Sequence, residues 1–189
     1  MDIAIELTDL KSEADVELKV LTPILIGSEF IGLPLIAIKG KTYLSPSIVD
    51  KVAGKSTGYY PDFSAWLLGL PVLVVEAKAP NVPAELGYRE ARLYASVLNA
   101  KYKGGINPCQ RILASNGRKV LAGPWDSEPT FEANVEDLAP GSTKAGELRA
   151  LCGSAELERI AKTTSAALRP VKASAPYSLI GGQAILNSK

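Results

Sequence analysis

Histidine is absent from the 189-residue chain, cysteine occurs twice and methionine once. Each scarcity closes off a class of chemistry. Without imidazole there is no Ser-His-Asp or Cys-His nucleophile, and no nuclease that uses histidine as its general base. Zinc sites with His ligands are excluded as well, and two cysteines do not make a four-thiolate site. Cys109 and Cys152 have neither metal-ligand nor redox spacing and read as reduced thiols of a cytoplasmic protein. No apolar run reaches the roughly 18 residues of a membrane span, so no membrane partner is expected. The first residues, MDIAIELTDLKSE, are acidic early and lack the basic-then-apolar pattern of a secretion signal. Catalysis is left to carboxylates, lysine, tyrosine, hydroxyls or a hard metal held by oxygen.

What is present is an ordinary globular composition, 47% hydrophobic and 22% charged, enough for one domain with a real core. That domain is expected over residues 1–168. Residues 169–189, dominated by Pro, Ser, Gly and small side chains, read as a tail or linker. The net charge of +1 conceals an asymmetry. Between Gly87 and Lys119 seven bases (Arg89, Arg92, Lys101, Lys103, Arg111, Arg118, Lys119) face one acid, Glu90. Between Trp125 and Glu158 eight acids face two bases. The basic stretch suggests a phosphate-attracting face, with the acidic stretch on the far side from DNA; the plain alternative is two solvated faces of a neutral protein.

Residues 12–26 predict a helix. Ser12 is placed as N-cap with Asp15 three residues on, acids fill the first turn, Val16, Val20 and Ile24 recur at helical spacing, and Pro23 kinks or shortens the end. Strands are expected over 33–38 and 42–44, and a loop over 45–60. Two apolar runs, 63–68 and 72–77, flank a Gly-Leu-Pro turn signal and predict a hairpin of buried strands. Pro83 opens a helix to about Tyr102, with Leu86, Arg89/Glu90, Leu93, Val97 and Ala100 on one periodic face and Gly104-Gly105 as its stop. Strands are expected over 110–115 and 118–122 around an Asn116-Gly117 turn, then short helices over 142–152 and 154–167. The fold class is α/β: a mixed central sheet flanked by helices, with additional C-terminal helices.

Asp62, Glu76 and Lys78 carry the chemical signal. Glu76 and Lys78 are two apart on an apolar strand, so they project from one face. Burying both there costs several kcal/mol, roughly, unless partners compensate. A structural ion pair would be sufficient for two residues. Asp62 adds a third. With 68 paired to 72, Asp62 would oppose Lys78 and Ser64 would oppose Glu76. A two-residue turn would put Asp62 on the wrong face, so an odd-length turn or a bulge near Gly69 is required. Two carboxylates on one face make an oxygen site for Mg2+, and a neighbouring lysine holds a water and neutralises developing charge.

Pro61-Asp62, thirteen intervening residues and Glu76-Ala77-Lys78 resemble the PD-(D/E)xK nuclease superfamily. More narrowly, residues 9–120 resemble the N-terminal nuclease domain of type I restriction enzyme restriction subunits. The likeness takes in the SEADVELKVLTPIL helix, the PDFSAWLLGLPVLVVEAKAP hairpin, the EARLYA helix and the ILASNG strand. The resemblance implies a restriction-endonuclease-like core and a Mg2+-dependent DNA endonuclease, with Mn2+ able to substitute, in a restriction or defence system. It implies Asp62 and Glu76 as metal-ligating carboxylates, the Ala77 carbonyl completing the site, and Lys78 orienting or activating water. Glu13 offers a further helix carboxylate, with Glu17 one turn on as fallback. Glu90 and Tyr94 fall where such relatives carry Gln-x-x-x-Tyr, here with Glu for Gln. Arg89, Arg92, Lys101 and Lys103 are candidate phosphate contacts, with ordinary surface charge as the alternative for each. Tyr59, Tyr60 and Trp66 either stack on bases or fill core, packing being favoured.

The alternative function is a catalytically inactive DNA-binding or regulatory module of the same fold. The chain has no Gly-x-x-x-x-Gly-Lys-Ser/Thr loop, so any translocation would come from a partner ATPase or from restriction-modification subunits. A piece of a longer protein, or a free-standing nuclease awaiting partners, is expected on this ground.

Overall fold

A computed structural model of the chain describes residues 7–44, 58 and 60–168, and the backbone of 177–180 and 183–186. The expected loop over 45–60 and the candidate Tyr59 lie largely or wholly outside these residues. Six strands form one sheet in sequence order: β1 (Ile38–Gly40), β2 (Phe63–Leu67), β3 (Leu70–Ala77), β4 (Arg111–Ser115), β5 (Lys119–Pro124) and β6 (Phe131–Asn134). All neighbours are antiparallel except β3 and β4, which run parallel. That one parallel step requires a crossover, supplied by the helix Ala84–Asn99. The chain is therefore mixed α/β, as its alternating patterns imply.

Four helical elements flank the sheet. The first, α1, is one helical run with three segments: Glu13–Val16, a π-helical turn Glu17–Leu21, and Thr22–Ile26. Ser12 and Asp15 form the expected reciprocal cap. Pro23 does not end the run, which continues to Ile26. The turn before it widens instead, with the Thr22 amide and hydroxyl both donating to the Glu17 carbonyl. Proline has no N–H for the carbonyl four residues back, and its ring crowds that oxygen, so a wider turn relieves both defects. The crossover helix is α2; α3 (Thr143–Cys152) and α4 (Ser154–Ala167) follow β6.

Two apolar layers result. Leu73, Val75 and Ala77 of β3 pack with α1, α3 and α4, while Val74 packs with Ile112, Ala114, Leu121 and α2. Every residue of β3 is buried, as expected of a central strand covered on both faces. The packing face of α2 differs from the predicted one. Val97 is buried as expected, but Leu86 and Leu93 are exposed, and the helix also buries Ala84, Gly87, Tyr88, Ala91, Ala95 and Leu98. Small residues at Ala84, Gly87, Ala91 and Ala95 let the helix lie close on the sheet, with Tyr88 and Leu98 filling the space beside them.

Other expectations shift. Of residues 33–38 only Ile38 is in a strand, as the start of β1: Pro34 leads into a 3-10 turn, Leu35–Ala37, with Leu35 72% and Ile36 92% exposed. Of 42–44, only Leu44 makes an isolated bridge. Strand β6 was not expected, although its buried–exposed alternation follows Phe131, Glu132, Ala133 and Asn134. The expected tail contains a two-stranded antiparallel pair, β7 (Tyr177–Ile180) and β8 (Gln183–Leu186).

Candidate functional site

The hairpin sets the site. Leu67 pairs with Leu70 across a two-residue turn, and both turn residues, Leu68 and Gly69, have positive φ, the pattern of a type I′ connection. Alone, this turn would aim Asp62 and Glu76 at opposite faces. The register changes between Trp66↔Pro71 and Ala65↔Leu73, leaving Val72 as an extra residue on β3. This bulge restores the common face. The pairing beyond it is Ser64↔Val74, two residues from the expected Ser64↔Glu76, and the same register carried on sets Asp62 opposite Glu76 rather than Lys78. Both carboxylates are buried, at 5% and 4% exposure.

Backbone and helix complete the surroundings. Asp62 Oδ2 accepts the Ala77 amide at 2.8 Å. In a strand the amide and carbonyl of one residue point the same way, so the Ala77 carbonyl also belongs to the Asp62 side of β3. Oxygens of Glu13, Glu17 and Asp62 lie within 4.8 Å of one another. Glu13 and Glu17 are one turn apart on α1, so the fallback residue joins the expected one instead of replacing it. Lys41 counters these acids, with Nζ 3.3 Å from Glu17 and 4.0 Å from Asp62. Its φ of 44° is left-handed, a conformation costing a non-glycine roughly 1–2 kcal/mol. Its amide donates to the Asp62 carbonyl, which fixes the turn.

Glu76 and Lys78 form the other half. Lys78 Nζ lies 2.9 Å from Glu76 Oε1 and 2.9 Å from Glu90 Oε2. Glu76 Oε2 is buried and has no hydrogen-bond partner, a costly state for a carboxylate oxygen. Gly87 of α2 explains how the helix comes so near. A Cβ there would lie 3.2 Å from Lys78 Cγ and 3.6 Å from Glu76 Cγ.

The titration behaviour follows from this crowding. Burial pushes Asp62 up to about 6; the Ala77 amide opposes the shift, and the charges of Glu17 and Glu13 add to it. Burial and then the Asp62 charge push Glu76 up to about 8, in spite of its bond to Lys78. Lys78 is pulled down by burial, but its bonds to Glu76 and Glu90 outweigh this and hold it above the ordinary lysine range. Tyr94, one turn after Glu90 on α2, is raised to about 12 by burial and by the charges of Glu76 and Glu90.

Carboxylates gathered at one point, with one oxygen left unsatisfied, suit a hard divalent cation. Glu13, Glu17 and Asp62 offer converging oxygens. Glu76, the other expected ligand, lies outside that converging group, and its Oε2 is buried and unengaged. The arrangement is thus able to hold a cation next to an ammonium group.

The candidate cations divide. Arg92 pairs with Glu128, Arg111 with Glu156, and Lys119 with Glu85 and Glu132. The basic stretch is therefore partly neutralised by the acidic stretch, which is not segregated to a far side. Lys101 and Lys103 follow the C-terminal end of α2, where Asn99 is bonded to Cys109 ahead of β4. That is the sheet end opposite Glu76. Arg89 is exposed on α2 beside Glu90. Tyr60 is exposed and lies against Tyr43, while Trp66 is half-buried, donates to Ser64 and carries Lys39 over its ring at 4.2 Å. Sequence reasoning missed Lys41 and Gly87; a glycine inside a helix, unfavourable by about 1 kcal/mol against alanine, was the available signal for the second. Comparison with family models, with curated proteins and with solved structures finds no match to this chain.

Proposed function

We propose that this chain is a Mg2+-dependent DNA endonuclease with a restriction-endonuclease-like core. The observation carrying the reading is the buried Asp62–Glu76 pair on one sheet face, with Glu76 Oε2 unsatisfied and Lys78 at 2.9 Å from Oε1. Asp62, Glu76, the Ala77 carbonyl and the helix acids Glu13 and Glu17 would hold the cation. When bound, it supplies a Lewis acid and a water of lowered pKa. Lys78 acts as a donor rather than a base, because its neighbours keep it protonated. Of its three N–H donors, two face Glu76 and Glu90, leaving one for a water or a phosphate oxygen. Lys41 limits repulsion among the helix acids and Asp62. Partner ATPase or restriction-modification subunits belong to the same proposal.

The test is nicking of supercoiled DNA with Mg2+ or Mn2+. Cleavage lost in Asp62→Ala and in Lys78→Ala supports the reading; cleavage surviving both overturns it. One observation favours the second reading, an inactive DNA-binding module. Glu90 gives Lys78 a second carboxylate where a glutamine would leave it freer. Glu90→Gln separates them: nicking that rises several-fold fits an active centre held back by Glu90, and DNA binding with no nicking in either form fits the module.

A further inference from the structure

The same end of the sheet carries a second feature. A cavity of about 280 Å³ is lined by Leu10, Lys11, Pro80, Asn81 and Arg118. Pro80 and Asn81 follow β3, Arg118 follows β4, and β3 and β4 run parallel, so the cavity lies at the end of the sheet at which Glu76 and Lys78 sit, although neither lines it. Lys11 is two residues before Glu13. Gly117 locks the wall together: its φ of +81° makes the turn, and a Cβ there would lie 2.6 Å from Leu10 Cδ1. Both cations have fixed backbones. The Lys11 amide donates to Asp15, and the Arg118 amide donates to Asn116 Oδ1. Both side chains are exposed, and no carboxylate of the described residues pairs with either. Lys19, Lys41, Lys78 and Lys119 face acids, while Arg89, Lys101, Lys103 and Arg149 share the unpaired state among the described residues but do not line this cavity.

Two cations with no ion pair among the described residues, on one polar wall at the sheet end that carries the carboxylate centre, suit an anion that spans both. We infer that Lys11 and Arg118, with Asn81 of the same wall, hold backbone phosphates of the DNA strand that enters the acidic centre. The inference rests on the nuclease reading and adds the strand's path to it. The path runs from the α1 acids across the ends of β3 and β4, and leaves Lys101 and Lys103 outside. Phosphate contacts of this kind position the strand without reading its sequence.

Binding of a short fluorescent DNA duplex, followed by anisotropy in EDTA against salt, separates this contact from cleavage. Lys11→Ala and Arg118→Ala should each lower the slope of log affinity against log salt by roughly 1. At about 0.1 M salt that corresponds to an affinity loss of roughly eightfold per variant. Lys11→Arg and Arg118→Lys should keep the slope. Arg149→Ala, an equal charge loss two residues before the Leu151 carbonyl that Arg111 engages, should leave it unchanged. A wild-type slope retained by both alanine variants, or a drop as large in Arg149→Ala, overturns the inference while leaving the nuclease reading in place. No binding of DNA by the wild-type chain overturns both.

Discussion

At one end of β4 Arg111 meets Glu156; at the other end of neighbouring β3 Glu76 meets Lys78. Both are largely buried ion clusters on one sheet, yet they are finished differently. Arg111 donates to the Leu151 and Gln110 carbonyls and to Glu156, and Arg159 closes both oxygens of Glu156. The bond to Arg159 holds the Glu156 carboxyl below its usual range. At the other cluster Glu76 keeps an oxygen without a partner, and its carboxyl and that of Asp62 are pushed up. A closed ion pair holds structure together. An open one, with like charges pressed together, costs stability, which is why the proposed reading gives it a ligand to bind.

Substitution should separate the two most sharply. Glu76→Gln and Asp62→Asn should each cut DNA cleavage by more than about a hundredfold, since losing even an outer-shell metal partner costs 10–100-fold. Neither should lower the melting temperature of the metal-free protein at about pH 8. Arg111→Ala should do the reverse, lowering stability by about 3 kcal/mol through the carboxylate and carbonyls it strands. Denaturation and single-turnover cleavage on the three variants check this. Equal destabilisation at both clusters would make Glu76–Lys78 an ordinary structural pair.

pH is the next lever, and its sign differs between the clusters. Glu76 goes from 4.5 unfolded to about 8 folded, so the native state binds the extra proton between those values. Stability then falls as pH rises through that window. Asp62 acts in the same direction from 3.8 to about 6. Glu156, lowered on folding, contributes stability above 4.5 that is lost as pH falls through its folded value. Thermal melts in EDTA should therefore show the wild type losing stability toward pH 8, a loss reduced in Glu76→Gln and preserved in Glu156→Gln.

The smallest effect is steric. In Gly87→Ala the new methyl presses on Lys78 and Glu76 from α2. Helix propensity gained, up to about 1 kcal/mol, offsets the crowding. Stability should stay within about 1 kcal/mol while cleavage falls several-fold, readable by comparing melts with initial rates.

These residues also mark what was legible in the sequence. Period-two alternation put Glu76 and Lys78 on one face, and the parity of the hairpin demanded a bulge before Asp62 could join them. The bulge exists, but at Val72, because the chain closes through Leu68-Gly69 rather than through Gly-Leu-Pro. Lys41 was hidden because it reaches Asp62 from another part of the chain through a left-handed turn. The face of α2 is only partly legible: Val97 is buried as its spacing implies, but Leu86 and Leu93 outweigh the alanines in the pattern, while the helix lies on the sheet through Ala84, Gly87, Ala91 and Ala95. Mutual neutralisation of the basic and acidic stretches depends on tertiary pairing, such as Arg92 with Glu128, that no local pattern contains.

Calorimetric titration with Mn2+ tests the central claim most directly, that the open cluster is a cation site. The wild-type chain should bind Mn2+ with release of protons near pH 7, and Asp62→Asn should abolish the binding while retaining its fold by circular dichroism. Wild-type protein that takes up no Mn2+, or an Asp62→Asn variant that binds it undiminished, would contradict the account.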